Sequence, residues 1–560
     1  MKILLLLMPF WDPLVPPNGI AHLKSYLTSK GFNILTRDLT ISVQAQDTYQ
    51  RYFESIQNAL PEKKSIGEIV KVGHDVLNTH LFAEIHRKKN DTRVTELLND
   101  CIYKHYYAYI SKESLIILQN ILQAYLEFLS DLIKDVIEED KPEIIGFTLY
   151  SGTLASSLFA ARVIKKYRPK IRVVAGGGIF AETHTYLSYN FNKLLEVSKG
   201  YIDNFFIGRG EILLEKYLKN ELDTESIVFR EQDYKHDSLK FTDIPIPDYS
   251  DFDLRRYPYI CASSSSSCPY SCSFCNTREF WGKYKVKDIS QTIKEMVELH
   301  RRTNKQLFYM TDSLLNPTID ELSHGFSKII HPLYLDAYLR VGNESADFER
   351  TKAWRRSGIY RVRMGCESGS QRILNKMNKQ ITVQQIKNSL KSLADSGIKT
   401  TTYWVAGHPG ESEEDFNETL SLIEELKDSI FQAECAPFKT QFNGQSGSQE
   451  WDKQIIPVYN KQYSDLFIFN LYDLETTPDR YTIYSRLQRF YQHCESIGIP
   501  NPYSLKEHLN ADHRWSTLHE SAVPGLINFI SGKSYVNDLA KENLKVTPRF
   551  KVEKSTDFNF

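Results

Sequence analysis

Apolar runs and amphipathic stretches alternate along the first part of the chain. An apolar run, Lys2–Met8, precedes an amphipathic stretch, Ile20–Lys30, and a short apolar run, Phe32–Leu35. The same order returns in Glu143–Leu149 and Thr153–Lys166. A short apolar run predicts a buried parallel strand, and a period of 3.6 residues predicts a helix. Repeated strand, loop and helix predict an α/β domain, a Rossmann-like parallel sheet with helices on both faces.

The alternation stops between Asp38 and Lys141, where about a hundred mostly helical residues intervene. Such a length far exceeds an ordinary connection, so we predict a helical insertion at about 41–140 within a first domain, 1–242. The proline-punctuated segment Asp243–Asp253 (DIPIPDYSDFD) predicts a linker and a domain boundary.

Strand and helix patterns alternate again beyond this linker. The strand candidates are Leu307–Met310, Arg361–Met364 and Thr400–Val405, and the helices between them include Ile289–Arg301 and Val383–Ser396. This order predicts a partial TIM-like α/β barrel at 243–430, with its chemistry on the strand-end loops.

The remainder, 431–560, is irregular and rich in aromatic residues, and we treat it as a mixed C-terminal region that caps a substrate site. Its aromatic side chains have no periodic spacing, and an ordinary packed core explains them equally well.

Composition narrows the class of protein. The 69 Lys and Arg residues balance 70 Asp and Glu residues, so the net charge gives no case for nucleic-acid binding. The apolar start resembles a signal-peptide core, but prolines follow it rather than a cleavage site. The sequence contains no run of 18 or more apolar residues, so it predicts no membrane span. Eight scattered or closely packed cysteines are not a disulfide framework, and we expect a cytoplasmic protein.

Three of these cysteines, Cys268, Cys272 and Cys275, form a Cys-x3-Cys-x2-Cys motif on a predicted loop. Three thiolates so close can hold three corners of a [4Fe–4S] cluster and leave one iron open for another ligand. A structural zinc site is the alternative, although zinc normally takes four ligands in two spaced pairs. Cys261 would complete such a set only with unusual spacing.

The motif resembles that of the radical S-adenosylmethionine (SAM) superfamily, including the aromatic Phe274 before its last cysteine. Later segments resemble the family's strand-end motifs in the family's order: YMTDSLLN at 309–316, MGCESGS at 364–370 and GHPGES at 407–412. The resemblance implies that SAM is bound by Phe274, Asp312, Ser313, Arg340, Glu367 and Ser368. Asp312 would hold the methionine amino group, Glu367 the ribose, and Arg340 the carboxylate. A strand-end or helix-capping role for Asp312 and Glu367 is the structural alternative.

The first domain resembles the cobalamin-binding domain that precedes the barrel in one class of these enzymes. The resemblance implies that strand-end loops hold the cofactor through Asn18, Gly19, Tyr150, Ser151, Gly176, Gly177, Gly178, Gly208, Gly210 and Glu211. Glycines there would let the backbone approach a flat macrocycle. The Asp-x-His-x-x-Gly motif that supplies a cobalt ligand in many cobalamin proteins is absent. A Rossmann-like domain with no ligand, or with another one, remains an alternative because glycine-rich loops are weak signals.

This resemblance implies a cobalamin-dependent radical SAM methyltransferase that methylates an unactivated carbon of a natural product or peptide, through methylcobalamin and a 5′-deoxyadenosyl radical. The partners would be that substrate and a one-electron donor of the flavodoxin or ferredoxin type. A rearrangement, oxidation or cyclisation without methyl transfer is the second possibility, and a non-catalytic cobalamin- or metal-binding regulator is the third. The catalytic hydrogen-handling residues stay unknown.

Overall fold

The computed structural model describes residues 1–10, 14–88, 91–223, 225–237, 240, 243–329, 332–439, 455–466 and 471–529. The chain forms two compact units. The first comprises Met1–Lys63, Val72–Leu254 and Pro457–Tyr472, and the second comprises Lys64–Lys71, Arg255–Ile456 and Asp473–Phe560.

The first unit is built on a six-stranded parallel sheet with the order β2-β1-β3-β4-β5-β6. Its strands are β1 (Lys2–Leu7), β2 (Asn33–Asp38), β3 (Ile144–Thr148), β4 (Arg172–Gly176), β5 (Asn204–Ile207) and β6 (Val228–Arg230). Its helices are α1 (Asn18–Ser29), α2 (Val43–Ala59), α3 (Ile66–His86, whose first turn belongs to the second unit), α4 (Arg93–Tyr106), α5 (Lys112–Asp140), α6 (Leu154–Tyr167), α7 (Tyr189–Ser198) and α8 (Gly210–Leu218). The predicted parallel sheet is confirmed, because the apolar run Ile3–Leu7 forms its buried second strand.

The direction in which successive strands are added to this sheet reverses between β1 and β3. The chain moves from β1 outward to β2, and after α2–α5 it returns to the other side of β1 at β3. In doubly wound sheets a ligand binds beyond the carboxyl ends of the strands at such a reversal. The segment between β2 and β3, for which the sequence predicts a helical insertion, therefore determines where the sheet reverses.

Helix α5 is long and apolar enough to cross a membrane by length and composition, and among the described residues it is the one helix that meets this test. Core helices pass the same test. In the structure α5 packs along α2 and α6, and its Tyr125, Leu129 and Ile133 side chains are buried.

The boundary between the units differs from the predicted one at 242/243. The linker runs back along the first unit as far as Leu254. Lys24 on α1 forms an ion pair of 2.8 Å with Asp251, and the Tyr249 hydroxyl donates a hydrogen bond of 2.7 Å to Asn18. These contacts fix the linker to the first unit.

The second unit contains a six-stranded parallel sheet whose strands follow the order of the chain, β7-β10-β11-β12-β13-β14. Its strands are β7 (Ile260–Ala262), β10 (Leu307–Met310), β11 (Tyr334–Leu339), β12 (Ile359–Glu367), β13 (Lys399–Ala406) and β14 (Gln432–Pro437), with β8 (Ser265–Ser266) paired to β9 (Lys285–Val286) in a separate ribbon. The helices up to β14 are α9 (Thr277–Trp281), α10 (Ile289–Thr303), α11 (Ile319–Phe326), α12 (Asn343–Ala346), α13 (Phe348–Ser357), α14 (Gln371–Lys376), α15 (Val383–Asp395) and α16 (Glu413–Glu425). Helices connect consecutive strands, so the predicted partial α/β barrel is confirmed.

The described C-terminal helices pack on the barrel. They are α17 (Arg480–Ser496) and α18 (Leu505–Leu518), and they follow a two-stranded ribbon of β15 (Ile455–Pro457) and β16 (Tyr472–Leu474). Helix α17 lies against β14, and Trp515 on α18 stacks edge-on against Phe431. The described helices thus add to the core of the barrel unit, whereas 440–454 and 530–560 of the predicted capping region lie outside the described residues.

Candidate active site at the strand ends

The loop that follows β7 brings the three motif cysteines together. The backbone N–H of Cys275 donates to the carbonyl of Cys272 at 3.2 Å, and all three thiols are free and half-buried. Burial raises the pKa of the Cys268 thiol, and the charges of Cys275 and Cys272 raise it further. Three thiolates that repel one another are stabilised when they bind a cationic cluster.

The donor set fits a cluster better than a single ion. Within the described part of the chain, no three His, Cys, Asp or Glu side chains already stand close enough to ligate one ion. A [4Fe–4S] cube binds each thiolate through a different iron, so its ligands stand farther apart than those of one zinc ion. Soft thiolates on one exposed loop suit that cube.

Two serines that precede the cysteine motif hold the cysteine loop in place. The buried carboxylate of Asp312, just after β10, accepts hydrogen bonds of 2.6 Å from the hydroxyls of Ser264 and Ser265, and of 3.0 Å from the backbone N–H of Ser264. Burial raises the pKa of Asp312, and the serine donors oppose that rise. Asp312 therefore ties the end of β10 to the start of the cysteine loop, while Ser313 beside it is exposed.

Glu367 ends β12 in a left-handed conformation, with φ of +64°. Its Oε1 accepts a hydrogen bond of 2.6 Å from the ammonium of Lys379, and both side chains are nine-tenths buried. The Lys379 ammonium also lies 5.6 Å from the ring centroid of Phe274. The structure thus brings Glu367 and Phe274 together through a lysine that the sequence motifs do not single out. A Cβ at Gly365 would lie 3.0 Å from that ammonium, so glycine leaves room for the pair.

Arg340 follows β11 and reaches the cysteine loop. Its Nη1 donates to Cys272 Sγ at 3.2 Å, and its guanidinium stacks 4.1 Å over the ring of Tyr270. Its Nη2 is buried and has no hydrogen-bond partner in the part of the chain that the structure describes. A buried donor without an acceptor costs roughly 1–3 kcal/mol, and the carboxylate of a bound ligand would remove that cost.

Ser368 directly follows Glu367, but its side chain makes other contacts. Its side chain is fully buried, accepts the backbone N–H of Ser370 at 3.1 Å and lies 3.4 Å from the Thr419 hydroxyl. Those contacts connect β12 to α16, so the SAM-contact role predicted for Ser368 stays a prediction with no support from its surroundings.

In the first unit, the predicted cobalamin residues all lie at the carboxyl edge of the sheet or in the loops just beyond it. Asn18 and Gly19 begin α1, next to the reversal of strand order. Among the described residues, a Cβ at Gly19 would meet no atom within 4 Å, which distinguishes it from the other five predicted glycines. Space is therefore open directly outside this helix start.

The other predicted glycines are required by the protein's own packing. Gly177 has φ of +124°, and a Cβ there would lie 2.6 Å from the backbone of Leu149. Gly178 makes room for the ring of Tyr150, and Gly176 lies close to Phe206. These glycines therefore have structural reasons to be glycine, whatever ligand the edge binds.

The remaining predicted residues make polar contacts inside the unit. The Ser151 hydroxyl donates to Glu182 at 2.9 Å. Glu231 contacts the Gly208 loop and accepts the Arg209 backbone N–H at 2.9 Å. Glu211 is buried at the start of α8, and burial raises its pKa. Gly210, one residue earlier, packs on Leu23.

The sequence profile of the Radical SAM superfamily matches residues 263–423. The anaerobic magnesium-protoporphyrin IX monomethyl ester cyclase of Rubrivivax gelatinosus is 23% identical over 319 residues, which cover 52% of this chain and 56% of that relative. An uncharacterized methyltransferase of Pyrococcus horikoshii is 24% identical over 329 residues, which cover 53% of this chain and 67% of that relative. The chain thus spans about half the length of the first of these relatives.

A solved structure matches almost the whole chain. The radical SAM methyltransferase TsrM of Kitasatospora setae, with tryptophan substrate and a SAM analog bound, superimposes with a TM-score of 0.60 at 14% identity, over 97% of this chain and 99% of that one. The likeness establishes a common fold across both units. The profile match, in turn, identifies residues 263–423, which hold the cysteine loop and most of the barrel, as a Radical SAM domain.

Proposed function

We propose that this chain is a cobalamin-dependent radical SAM methyltransferase that methylates an unactivated carbon of a natural product or peptide. One observation carries the proposal: a single chain joins a cysteine loop at barrel strand ends to a parallel sheet whose strand order reverses beside the open start of α1. The first feature suits a radical-forming cluster, and the second suits a large planar cofactor.

In this proposal the barrel residues bind and orient the first cofactor pair. Cys268, Cys272 and Cys275 would hold the [4Fe–4S] cluster, the unpartnered Nη2 of Arg340 would bind the SAM carboxylate, and Glu367 would bind the ribose. The cluster and SAM together supply reductive carbon–sulfur cleavage and a radical able to abstract hydrogen. The chain itself supplies placement and exclusion of water.

The first unit would hold cobalamin, which supplies a methyl carrier for a carbon that is not nucleophilic. Asn18 and Gly19 would lie under its edge, and the loops of Tyr150, Gly177 and Gly208 would form the rest of the cradle. The eight free thiols fit a reducing compartment such as the cytoplasm, where a flavodoxin- or ferredoxin-type donor would provide electrons.

The proposal can be tested before the substrate is known. Anaerobic, reconstituted protein loaded with reduced cobalamin and supplied with SAM should form about one equivalent of S-adenosylhomocysteine per cobalamin without substrate, since the methyl group has one acceptor. Adding a candidate substrate and methyl-deuterated SAM should then give labelled product, with S-adenosylhomocysteine and 5′-deoxyadenosine near one to one. Formation of 5′-deoxyadenosine with no S-adenosylhomocysteine would reject methyl transfer.

The relatives support a second candidate, a radical SAM cyclisation or related oxidation with no methyl transfer. The cyclase of Rubrivivax gelatinosus is similar over 319 residues. In this case turnover would change the substrate without incorporating the label. The same experiment therefore separates the two candidates.

A further inference from the structure

The inner face of the barrel sheet is partly open to solvent. On β10–β14 the half-buried residues alternate with buried ones, so the accessible side chains all lie on one face, opposite the face that the helices cover. This set is Tyr309, Tyr334, Tyr338, Arg363, Gly365, Tyr403, Val405, Glu434 and Ala436. All but Tyr334, which packs against Phe529, form the open part of this inner face, called the chamber below, on strands whose ends carry Arg340 and Glu367.

An unbalanced positive charge lies in this chamber. The fully buried carboxylate of Asp336 accepts from Arg361 Nε at 2.7 Å and from Arg363 Nε at 2.8 Å. Two guanidiniums thus share one carboxylate, which leaves a net charge of one. Arg361 is almost fully buried and is therefore not accessible to a ligand. Its Nη1 lies 3.4 Å from the side-chain oxygen of Gln432.

Arg363 has one terminal nitrogen that does not bind Asp336. Its Nε and Nη2 bind Asp336, whereas among the described residues its Nη1 has only a long contact of 3.3 Å with the Tyr403 hydroxyl. The side chain keeps 13% of its surface exposed. The Nη1 edge can therefore donate to an oxygen that enters the chamber.

Aromatic rings surround this guanidinium. It lies 4.9 Å from the ring centroid of Tyr309 and 5.9 Å from that of Tyr338, and Tyr338 and Tyr403 stack with centroids 6.0 Å apart. Burial raises the pKa of Tyr309 and of Tyr403, so both keep their hydroxyl protons near neutral pH. A flat apolar group can pack against these rings.

The other acids around the chamber already have cationic partners of their own. Glu434, the one acid on the accessible inner face, pairs with Lys71 at 2.5 Å. Lys399, below, pairs with Asp512 at 2.5 Å, and Arg340, above, donates to Cys272. None of these pairs cancels the excess charge of the two arginines and Asp336.

We infer that the chamber binds an aromatic carboxylate, with the carboxylate on the Nη1 edge of Arg363 and the ring against Tyr338 and Tyr403. This inference rests on the proposed function, because it names the substrate class for the same site. It makes Arg363 a specificity-determining residue that lies away from the cluster and from the predicted SAM contacts.

Binding can be measured without turnover. We would titrate the cluster-loaded full chain anaerobically with 3-phenylpropionate and 2-naphthoate, and with the primary amide of each, by calorimetry. Each acid should bind at least about tenfold more tightly than its amide, which corresponds to about 1.4 kcal/mol. Arg363→Gln should abolish this preference, whereas Arg301→Gln, on the outer helix α10, should preserve it. Tyr338→Ala should weaken acid and amide equally.

Two results would overturn the inference: equal affinity of wild-type protein for acid and amide, or a preference that survives in Arg363→Gln. If that variant fails to fold, Arg363→Lys keeps the charge without the planar fork and should retain a smaller preference. Production of 5′-deoxyadenosine by the reduced protein is measured separately. A protein that prefers the acids but makes no 5′-deoxyadenosine would contradict the proposed function and leave this inference standing.

Discussion

The ammonium of Lys379 lies 2.6 Å from Oε1 of Glu367, and this buried pair fixes the carboxylate that the family resemblance assigns to the ribose of SAM. The two residues are twelve positions apart, and α14 separates them. The lysine compensates the charge of Glu367 and binds its Oε1, and in the proposed function the other oxygen would accept from the ribose.

We expect Lys379→Met to weaken SAM binding about tenfold, because Glu367 would lose the donor that orients it. Removing one partner of a buried pair should also lower the free energy of unfolding by about 3 kcal/mol. Anaerobic equilibrium dialysis and urea unfolding measure the two effects. The matched control is Lys387→Met, whose 2.6 Å pair with Glu425 lies nearer the surface and should matter by less than about 1 kcal/mol. Wild-type SAM affinity in Lys379→Met would refute the positioning role.

The cysteine loop gives a second prediction. Reconstituted wild-type protein should carry about four irons per chain, and Cys272→Ala should lose them because the remaining two thiolates hold the cube poorly. Iron and sulfide analysis measures the change. Cys494→Ala, which removes a buried thiol on α17, should keep the wild-type iron content. Stoichiometric zinc without iron in fresh anaerobic protein would instead support the structural zinc site.

Some of the features behind these predictions can be predicted from the sequence, and others cannot. The cysteine motif and the alternation of strands with helices are local patterns, so the motif spacing and the apolar runs were enough to predict them. Lys379 carries no motif signal, because its importance depends on a tertiary contact with Glu367. The sequence offers one weak indication, a lysine that follows the Glu-Ser at the end of a strand. Lysines are common at helix ends, so this pattern alone does not identify the pair.

The domain boundary and the C-terminal region show the same limit. The prolines between Asp243 and Asp253 indicate a linker, but it takes tertiary contacts such as the ion pair of Lys24 with Asp251 to show that the linker packs on the first unit. Trp515 and Phe431 are 84 positions apart, and their contact joins α18 to the barrel. Aromatic residues without a period do not reveal such a partner.

Arg340 links the cluster loop to the predicted SAM site, and its replacement should affect both. Arg340→Gln removes the guanidinium that donates to Cys272 Sγ. Because hydrogen bonds to cluster thiolates stabilise the reduced state, the midpoint potential should become more negative. The affinity for SAM should fall about tenfold with the loss of a charged donor. Spectroelectrochemical titration and dialysis test the two effects, and an unchanged potential at full iron content would contradict the first.

The stability of the barrel unit should depend on pH through His408, which follows β13 and is buried. Burial lowers its pKa from 6.5 to about 4. The unfolded chain therefore binds a proton at a pH where the folded chain does not, so stability is lost as pH falls below about 6.5. Between pH 7.5 and 5.5 the loss attributable to His408 should be about 1 kcal/mol. Urea unfolding at both pH values should show a flatter dependence in His408→Asn, and an identical pH dependence would exclude this cause.

Gly19 offers the sharpest test of a cofactor in the first unit. A leucine there should leave the fold intact, since a Cβ meets no atom of the described part of the chain within 4 Å, but it should fill the space outside the start of α1. We therefore expect Gly19→Leu to retain far less hydroxocobalamin than wild type after dialysis, with an unchanged melting temperature. Thr28→Leu, an exposed change at the far end of the same helix, is the matched control and should retain the cofactor.

Gly177 would be a misleading position for the same test. With φ of +124° and the Leu149 backbone 2.6 Å from its Cβ position, any side chain should destabilise the unit by at least about 1 kcal/mol. Loss of cobalamin from Gly177→Ala would then report unfolding as much as blocked binding. Gly19→Leu avoids that ambiguity, because a folded variant that still retains cobalamin would show that the cofactor does not occupy this edge of the sheet. If wild-type protein retains none, methyl transfer by way of cobalt is untenable and the cyclisation alternative takes its place.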